Sequence, residues 1–333
     1  MISTPYRSQY LTTAKWEEVL VRVFITGGTG SIGSNVVPAL IRNGADVVAL
    51  ARQETSAARL EEMGAIPVHG ECNEPEQWLD DASTCDVIIR ASAVSFGRRS
   101  GSSWLAEAVR KTQVETSGLI QAATTGPSCK AFLYTSAFFT NGPQGKSWVD
   151  EDAATASLLL AQIHRAGERL VSKAVSAGLA AFPLRVGFVY APEGNFASFV
   201  LDEAAKGRFK YIGDGDNYMP FVHIEDVVSA FVAGIQSPPV GRPVNIVDDQ
   251  PLKMKSFVEH VVPHFGKKPG GIPRWLAFSL AGRPLPEMFS GSYRLRNDRA
   301  KELLGWEPKF SAAADHLDDV VRSYKLSKTE SRK

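Results

Sequence analysis

The sequence predicts an α/β protein with a doubly wound parallel sheet and a smaller C-terminal lobe. Short apolar runs rich in β-branched residues alternate with amphipathic helical patterns from residue 21 to residue 184, as in sheets that helices cover on both faces. A glycine-rich turn follows the first of these runs. After Tyr190, proline and glycine become frequent and irregular stretches separate the helical patterns, which indicates a second lobe.

The first strand, turn and helix belong to one βαβ unit. Residues 21–25 are predicted to be a buried strand, and residues 32–43 carry apolar side chains at helical spacing. Gly44 follows this helix at the position where a left-handed residue ends many helices. Residues 47–50 are again short and apolar and are predicted to be the second parallel strand.

The alternation continues to residue 184. The further helices of this part are predicted at residues 55–63, 104–123 and 157–177. Its further strands are predicted at residues 66–69, 86–89, 131–135 and 181–184. In the C-terminal lobe we expect strands that return to the main sheet. The helical patterns of that lobe lie at residues 196–207, 224–235 and 254–265.

Composition and charge exclude several classes of protein. The net charge is +1, so the chain has no basic footprint for nucleic acid and no charged block for a membrane surface. No stretch approaches the ~20 apolar residues of a membrane span, and residues 1–20 lack the continuous apolar run of a signal peptide. The three cysteines form no CxxC or Cys/His pattern, so we expect no metal site, no disulfides and a cytoplasmic setting.

The position of the glycine-rich turn predicts a dinucleotide site, because the turn links a buried strand to an amphipathic helix. It reads Thr26-Gly27-Gly28-Thr29-Gly30-Ser31-Ile32-Gly33. Glycines let the backbone turn tightly and let a pyrophosphate approach, and the helix N-terminus offers free N–H groups. The expected contacts come from Gly27, Gly30, Ser31, Ile32 and Gly33.

The end of the second strand favours NADP(H). NAD-specific proteins usually place an acid here to accept from the ribose 2′-hydroxyl. Ala51 offers no carboxylate, and the guanidinium of Arg52 suits a 2′-phosphate. The alternative is that Arg52 is a solvated surface side chain.

Five further motifs follow in order along the chain. They read HGEC at residues 69–72, RASA at 90–93, PLRVGFVYAP at 183–192, FVHIEDV at 221–227 and LLGWEP at 303–308. Together with the glycine turn they resemble the extended short-chain dehydrogenase/reductase superfamily, over roughly residues 21–325. That superfamily includes sugar-nucleotide epimerases, dihydroflavonol reductases and 3β-hydroxysteroid dehydrogenases.

The resemblance implies a Rossmann-type fold and further contacts to the cofactor. Glu71, in place of the usual Asp, and Cys72 would lie in the turn that holds the adenine. The strand end beside the nicotinamide ribose would contain Ala91, Ser92 and Ala93. His223 would be structural and pack beneath the substrate lobe. The resemblance divides the chain into an extension (1–20), a dinucleotide-binding domain (21–190), a mainly substrate-binding lobe interleaved with the main sheet (191–325) and a tail (326–333).

The superfamily's chemistry rests on a Ser or Thr, a Tyr and a Lys, with the Tyr and Lys four residues apart on one helical face. In the matching segment of this chain, the register set by Glu168 puts Leu160 at the Tyr position and His164 at the Lys position. No tyrosine lies between Tyr134 and Tyr190, so no other register restores it.

The serine position is also altered. Counting back from Gly142 puts Ala137 at this position, whereas counting from Thr135 permits Ser136, and we favour Ala137. A positioned general acid contributes roughly 10²–10⁴-fold to a rate, and a leucine cannot be one.

Three side chains are candidates for catalytic roles. Ser95 either hydrogen-bonds a substrate oxygen or is a loop serine. His164 either donates to the nicotinamide ribose, acts as an acid with its near-neutral pKa, or is a partly buried helix histidine. Ser136 is the third candidate, and Thr140 and Asn141 are weaker ones.

Some atypical superfamily members lack the Tyr, including certain polyketide ketoreductases, in which a substrate hydroxyl supplies the proton after hydride transfer from NADPH. Phe96, Phe138 and Phe139 either form an apolar, aromatic substrate surface or belong to the core. The resemblance therefore implies an NADPH-dependent ketoreductase of a bulky aromatic secondary metabolite. The alternatives are a non-redox epimerase-, dehydratase- or cyclase-like enzyme with structural NADP, and an NADP(H)-sensing binding protein. We expect a small-molecule substrate, and a homodimer through the helices at 104–123 and 157–177.

Overall fold

The structure is a computed structural model and describes residues 21–93, 102–126 and 129–330. The predicted extension at 1–20 and the candidates Ser95 and Phe96 therefore lie outside the described residues. The elements of the first half of the chain are β1 (Arg22–Thr26), α1 (Gly33–Arg42), β2 (Asp46–Ala51), α2 (Glu54–Glu62), β3 (Ile66–His69), α3 (Leu79–Ser83), β4 (Val87–Arg90), α4 (Ser102–Thr125), β5 (Ala131–Ala137), β6 (Trp148–Val149), α5 (Ala161–Ser176) and β7 (Ala181–Val186).

The second half contains shorter strands and helices. They are β8 (Phe188–Tyr190), α6 (Gly194–Phe196), α7 (Asp202–Ala205), β9 (Tyr211–Ile212), β10 (Tyr218–Met219), β11 (Phe221–His223), α8 (Ile224–Gln236), β12 (Val244–Ile246), β13 (Leu252–Lys253), α9 (Met254–Val261), β14 (Gly271–Ile272), α10 (Arg274–Ala281), α11 (Pro284–Ser290), β15 (Arg294–Leu295), α12 (Asp298–Leu304) and α13 (Ala313–Glu330). Single-turn 3-10 segments occupy Pro75–Gln77 and Val262–Phe265, and a π-helical segment occupies Ala197–Leu201.

The main sheet has seven strands in the order β12-β7-β5-β4-β1-β2-β3. All of its strand pairs are parallel. The chain adds β2 and β3 on one side of β1, and then adds β4 and the later strands on the other side. The predicted doubly wound fold is therefore confirmed. The expectation that strands of the second lobe return to the sheet is also confirmed, because β12 pairs with β7.

Helices cover both faces of the sheet because alternate strand residues point to opposite sides. Val23 and Ile25 belong to a core cluster with side chains of α1, α2, α8 and α12. Phe24, between them, belongs to a second cluster with α4 and α5. Trp78, which follows the first 3-10 segment, stacks on Phe24 with ring centroids 5.7 Å apart. A third cluster joins side chains of the C-terminal lobe to Phe138, Leu160 and Ile163.

Two helix predictions are wrong in their bounds. The helix predicted at 157–177 begins only at Ala161. The helix predicted at 196–207 is interrupted between α6 and α7 by the π-helical segment, in which the backbone hydrogen bonds span one residue more than in an α-helix. Helix α13 runs through the first residues of the predicted tail, as far as Glu330. Within the described ranges, we find no helix with the length and apolar character required to span a lipid bilayer.

Candidate cofactor and substrate site

The glycine turn is folded tightly against the end of β4. Gly27 has a positive φ of 75°, and a Cβ atom there would lie 2.5 Å from the backbone nitrogen of Ser92. A Cβ atom on Gly33 would lie 2.1 Å from the carbonyl oxygen of Gly27. Only glycine fits either position. The predicted residues Ala91 and Ser92 are thus brought directly against the turn.

The first turn of α1 is open to an anion. It has no side-chain cap and no acidic residue, so its free N–H groups and the positive end of the helix dipole favour a phosphate. Gly30, Ser31 and Ile32 line the cleft in front of it. The backbone N–H of Asn195, in the segment after β8, donates to the Ser31 hydroxyl at 3.1 Å. The second lobe therefore closes over the turn.

Two arginines belong to the segment from the end of β2 to α2, and one of them, Arg59, lines the cleft. Arg52 follows β2, as predicted, and its side chain is exposed. Arg59 on α2 is also exposed, and it lines the cleft together with Thr29 and Ser34. Neither guanidinium forms an ion pair within the part of the chain that the structure describes. The sequence analysis did not identify Arg59. Its position on the helix that follows Arg52 could have indicated a second cation for the cofactor.

The turn predicted to hold the adenine is fixed by its own neighbours. The indole N–H of Trp78 donates to the carbonyl oxygen of Glu71 at 3.0 Å, and the backbone N–H of Glu71 donates to the side-chain oxygen of Gln77 at 2.9 Å. Burial and the nearby carboxylate of Glu115 raise the pKa of Cys72 to about 12. Its thiol is therefore a neutral, unreactive part of this turn.

A buried polar network lies directly beneath the glycine turn. The Glu115 carboxylate accepts hydrogen bonds from the hydroxyls of Thr26 and Ser92, at 2.7 and 2.5 Å, and from Arg90 Nε at 2.9 Å. The Arg90 guanidinium lies over the Tyr134 ring, 5.0 Å from its centroid. A buried ion pair needs such additional hydrogen bonds to offset its desolvation. The network holds the ends of β1 and β4 in register, and sequence reasoning missed Glu115 because α4 was judged by its apolar pattern alone.

His164 lies in the first turn of α5, against the edge of Phe139, with ring centroids 5.3 Å apart. Its Nδ1 atom is buried and has no hydrogen-bond partner among the described residues. Burial and the charge of Arg90 lower the pKa of His164 to about 3. This pKa differs from the near-neutral value expected from the sequence, so the imidazole carries no proton to donate as an acid near neutral pH.

The position predicted for the missing tyrosine is apolar. Leu160 is 1% exposed, precedes α5 and packs in the same cluster as Phe138 and Ile163. Ala137 is half-buried and packs against this cluster. Among the described residues, Leu160 and Ala137 thus offer no proton donor at the positions expected for the Tyr and the Ser.

The Ser136 hydroxyl is already engaged. It donates to a Glu168 carboxylate oxygen at 2.6 Å and lies 3.0 Å from the Thr140 hydroxyl. Glu168 in turn receives two hydrogen bonds from the guanidinium of Arg185, at 2.9 and 2.7 Å. Asn141 donates to the carbonyl oxygen of Glu151. The bonds among Ser136, Glu168 and Arg185 join β5, α5 and β7, and the Ser136 hydroxyl gives its proton to Glu168.

A cleft of about 900 Å³ runs from the glycine turn into the C-terminal lobe. Eight phenylalanines contribute to its apolar lining. They are Phe138, Phe139, Phe188, Phe196, Phe199, Phe209, Phe289 and Phe310. His223, at the edge of the cleft, accepts a hydrogen bond from the backbone N–H of Glu225 and caps α8. Burial lowers the pKa of His223 to about 3, which agrees with the structural role that the sequence predicted.

Known proteins share this architecture. The model of the NAD dependent epimerase/dehydratase family matches residues 23–247. A 3-diazoavenalumate denitrifying reductase of Streptomyces sp is 28% identical over 318 residues, which are 89% of this chain and 99% of that protein. A 4-hydroxy-2-methyl-3-oxo-4-farnesyl-3,4-dihydroquinoline-1-oxide ketoreductase of Stigmatella aurantiaca is 26% identical over 260 residues, 76% of each chain.

A crystal structure of human epimerase family protein SDR39U1 with NADPH has the same fold, with a TM-score of 0.75, 18% identity and coverage of 90% of this chain and 99% of that one. The family match spans most of the chain and includes the glycine turn and the strands around it. The chain therefore belongs to the NAD dependent epimerase/dehydratase family and is an enzyme of the oxidoreductase type.

Proposed function

We propose that this protein is an NADPH-dependent ketoreductase of a bulky, aromatic secondary metabolite. The observation that carries the proposal is the phenylalanine-lined cleft of about 900 Å³, which is continuous with the glycine turn. Apolar clefts of this size suit drug-sized aromatic ligands. Bound NADPH would supply a hydride at the turn-proximal end, and the substrate would fill the lobe.

The preference for NADPH rests on the two arginines. Arg52 and Arg59 are exposed, and Arg59 faces the same cleft as Thr29 of the glycine turn. Two guanidinium groups without carboxylate partners among the described residues suit a 2′-phosphate, which both could bind with charge-assisted hydrogen bonds.

The proton would come from the substrate. Leu160 has no proton to give, His164 is neutral with a pKa of about 3, and the Ser136 hydroxyl is bonded to Glu168. A hydroxyl group beside the substrate carbonyl can supply this proton. Hydride adds to the carbonyl carbon, the oxygen takes the proton of that hydroxyl, and water later reprotonates the phenolate that remains. The name of the Stigmatella relative, a ketoreductase of an oxo-quinoline, supports this class of substrate.

The test uses a pair of matched substrates, an ortho-hydroxyaryl ketone and its methyl ether, with NADPH deuterated at C4. We expect deuterium on the carbinol carbon, and we expect the methyl ether to react at least 10²-fold more slowly, as for loss of a positioned acid. Equal rates for the two ketones would overturn the substrate-derived proton. No NADPH oxidation with either ketone would overturn the ketoreductase assignment.

We infer a second candidate from the absence of a free acid around Leu160 in the described part of the cleft. The Streptomyces relative is named a denitrifying reductase of a diazo compound. When hydride adds to the ring carbon of an aryl diazonium ion, dinitrogen leaves with the carbon–nitrogen bonding pair, and no proton is needed. Release of N₂ with one equivalent of NADPH consumed, and no reaction with ketones, would favour this second function over the first.

A further inference from the structure

Two histidines and an aspartate meet on the surface of the C-terminal lobe, away from the cofactor cleft. His260 lies near the end of α9, and His264 lies in the 3-10 segment that continues it. The Nε2 atoms of both rings lie close to one carboxylate oxygen of Asp318 on α13, at 2.6 and 3.0 Å. The centroids of the two imidazole rings are 5.7 Å apart.

This arrangement has the chemistry of a transition-metal site. Histidines four residues apart on a helix share one face and can bind one ion together. All three ligand atoms lie within 4.8 Å of one another. Ligand atoms about 2.0–2.2 Å from a tetrahedral ion are separated by roughly 3.3–3.6 Å, so small side-chain rotations would complete the geometry. Imidazole ligands favour zinc, nickel or copper over calcium and magnesium.

The surroundings leave the Asp318 carboxylate available. Its charged partners within the described residues are the two histidines. The neighbouring cation Arg322 pairs with Asp319 instead, at 3.0 Å. The side chains of His260 and His264 are 32% and 33% exposed, so an ion could enter and keep water as a further ligand.

We propose that His260, His264 and Asp318 bind one divalent transition-metal ion, with zinc as the preferred ion. The three cysteines indicated no metal site, and the local sequence does not show that Asp318 lies beside His260 and His264, which are more than fifty positions away. The ion would tie α9 to α13. Met254 of α9 and Val320 of α13 line the cleft, so the site would fix the relative position of two helices that form the cleft wall.

The test measures zinc binding to the full chain, purified without a histidine tag and stripped with a chelator. Calorimetric titration with Zn²⁺ alone should give one ion per chain, and saturating Zn²⁺ should raise the melting temperature by several degrees. Co²⁺ should give the visible absorption of a tetrahedral site. His264→Gln and Asp318→Asn should each weaken Zn²⁺ binding at least tenfold.

Glu259→Gln is the matched control, because Glu259 is an exposed carboxylate next to His260 but is not part of the cluster. Its zinc affinity should equal that of the unaltered chain. Melting of each metal-free variant, followed by circular dichroism, shows whether it folds, and His260→Gln replaces any variant that does not. Weak binding of several ions, or equal affinity in the histidine variants and the control, would overturn the proposal.

Discussion

His164 shows at the scale of one residue how burial changes the chemistry that a sequence position implies. A histidine four residues after the expected tyrosine position invites an acid–base role. In the fold its ring packs against Phe139 and its Nδ1 atom is buried without a partner among the described residues. Burial and Arg90 lower its pKa to about 3. A polar side chain is thus kept neutral beside the candidate site.

This lowered pKa predicts a pH-dependent stability. The unfolded chain binds a proton at His164 near pH 6.5, whereas the folded chain binds it only near pH 3. The free energy of unfolding is therefore highest, as far as His164 is concerned, above pH 6.5. It decreases as the pH falls from 6.5 towards 3. Between pH 7.5 and 5 the loss from this residue amounts to about 2 kcal/mol.

Urea unfolding of the unaltered chain and of His164→Asn at both pH values checks this prediction. The variant should lose about 2 kcal/mol less than the unaltered chain over this interval. An identical pH dependence for the two proteins would show that His164 titrates normally in the folded state.

Arg59 is the second prediction at the residue scale. Arg59→Ala and Arg52→Ala should each weaken NADPH binding about tenfold, since a charge-assisted hydrogen bond contributes about 1.5–3 kcal/mol and exposed groups fall at or below the lower end. NADH binding should not change, because NADH lacks the 2′-phosphate. Fluorescence titration with both cofactors measures the difference.

Arg42→Ala provides the control for the arginine variants. Arg42 is an exposed cation at the end of α1, outside both the cleft and the segment from β2 to α2 that contains Arg52 and Arg59. If all three variants weaken NADPH binding equally, the effect comes from the general charge of the surface.

At the scale of the element, the junction of turn and helix at the start of α1 leaves no room for a side chain at Gly33. A Cβ atom on Gly33 would collide with the carbonyl oxygen of Gly27, which is backbone and cannot rotate away. We expect Gly33→Ala to destabilise the fold by about 1–3 kcal/mol and to weaken NADPH binding more than tenfold. Thermal melting and cofactor titration measure the two effects.

Gly270→Ala is the matched control, because the nearest atom to a Cβ there is Lys210 Nζ at 3.6 Å, an ordinary contact. This variant should melt and bind as the unaltered chain does. Normal NADPH binding by Gly33→Ala would show that the turn does not hold the pyrophosphate.

Helix α5 shows why element boundaries were harder to predict than elements. Its apolar pattern extends back to Leu158, yet the helix begins at Ala161. The backbone N–H of Leu159 donates to Glu287 of α11, at 3.3 Å. A carboxylate from a distant part of the chain thus accepts a hydrogen bond from the backbone just before the helix. The apolar periodicity of the local sequence cannot predict this contact.

At the scale of the whole molecule, the two lobes predicted from the sequence share one core. The cluster on the α1 face of the sheet includes Val227 and Phe231 of α8, Ile246 of β12 and Trp306. These residues follow the predicted boundary at residue 190. The first lobe alone would expose the edge of β7 and the apolar surface that α8 covers.

We therefore expect a truncated chain of residues 21–190 to lack a cooperative unfolding transition. Circular dichroism during heating, with the full chain as the control, measures this directly. A sharp transition in the truncated chain would show that the first lobe folds by itself and that β12 only extends a complete sheet.

The sequence by itself determined the sheet, the glycine turn and the apolar character around Leu160, because these depend on local spacing. Residues 21–25 and 32–43 already contain the strand and helix that make a dinucleotide turn. The tertiary structure alone decided the low pKa of His164, the engagement of Ser136 by Glu168, the approach of Arg59 to the cleft and the meeting of His260 with Asp318. Each of these joins residues distant in the chain, and the burial and distances that set their chemistry exist only after the layers have packed.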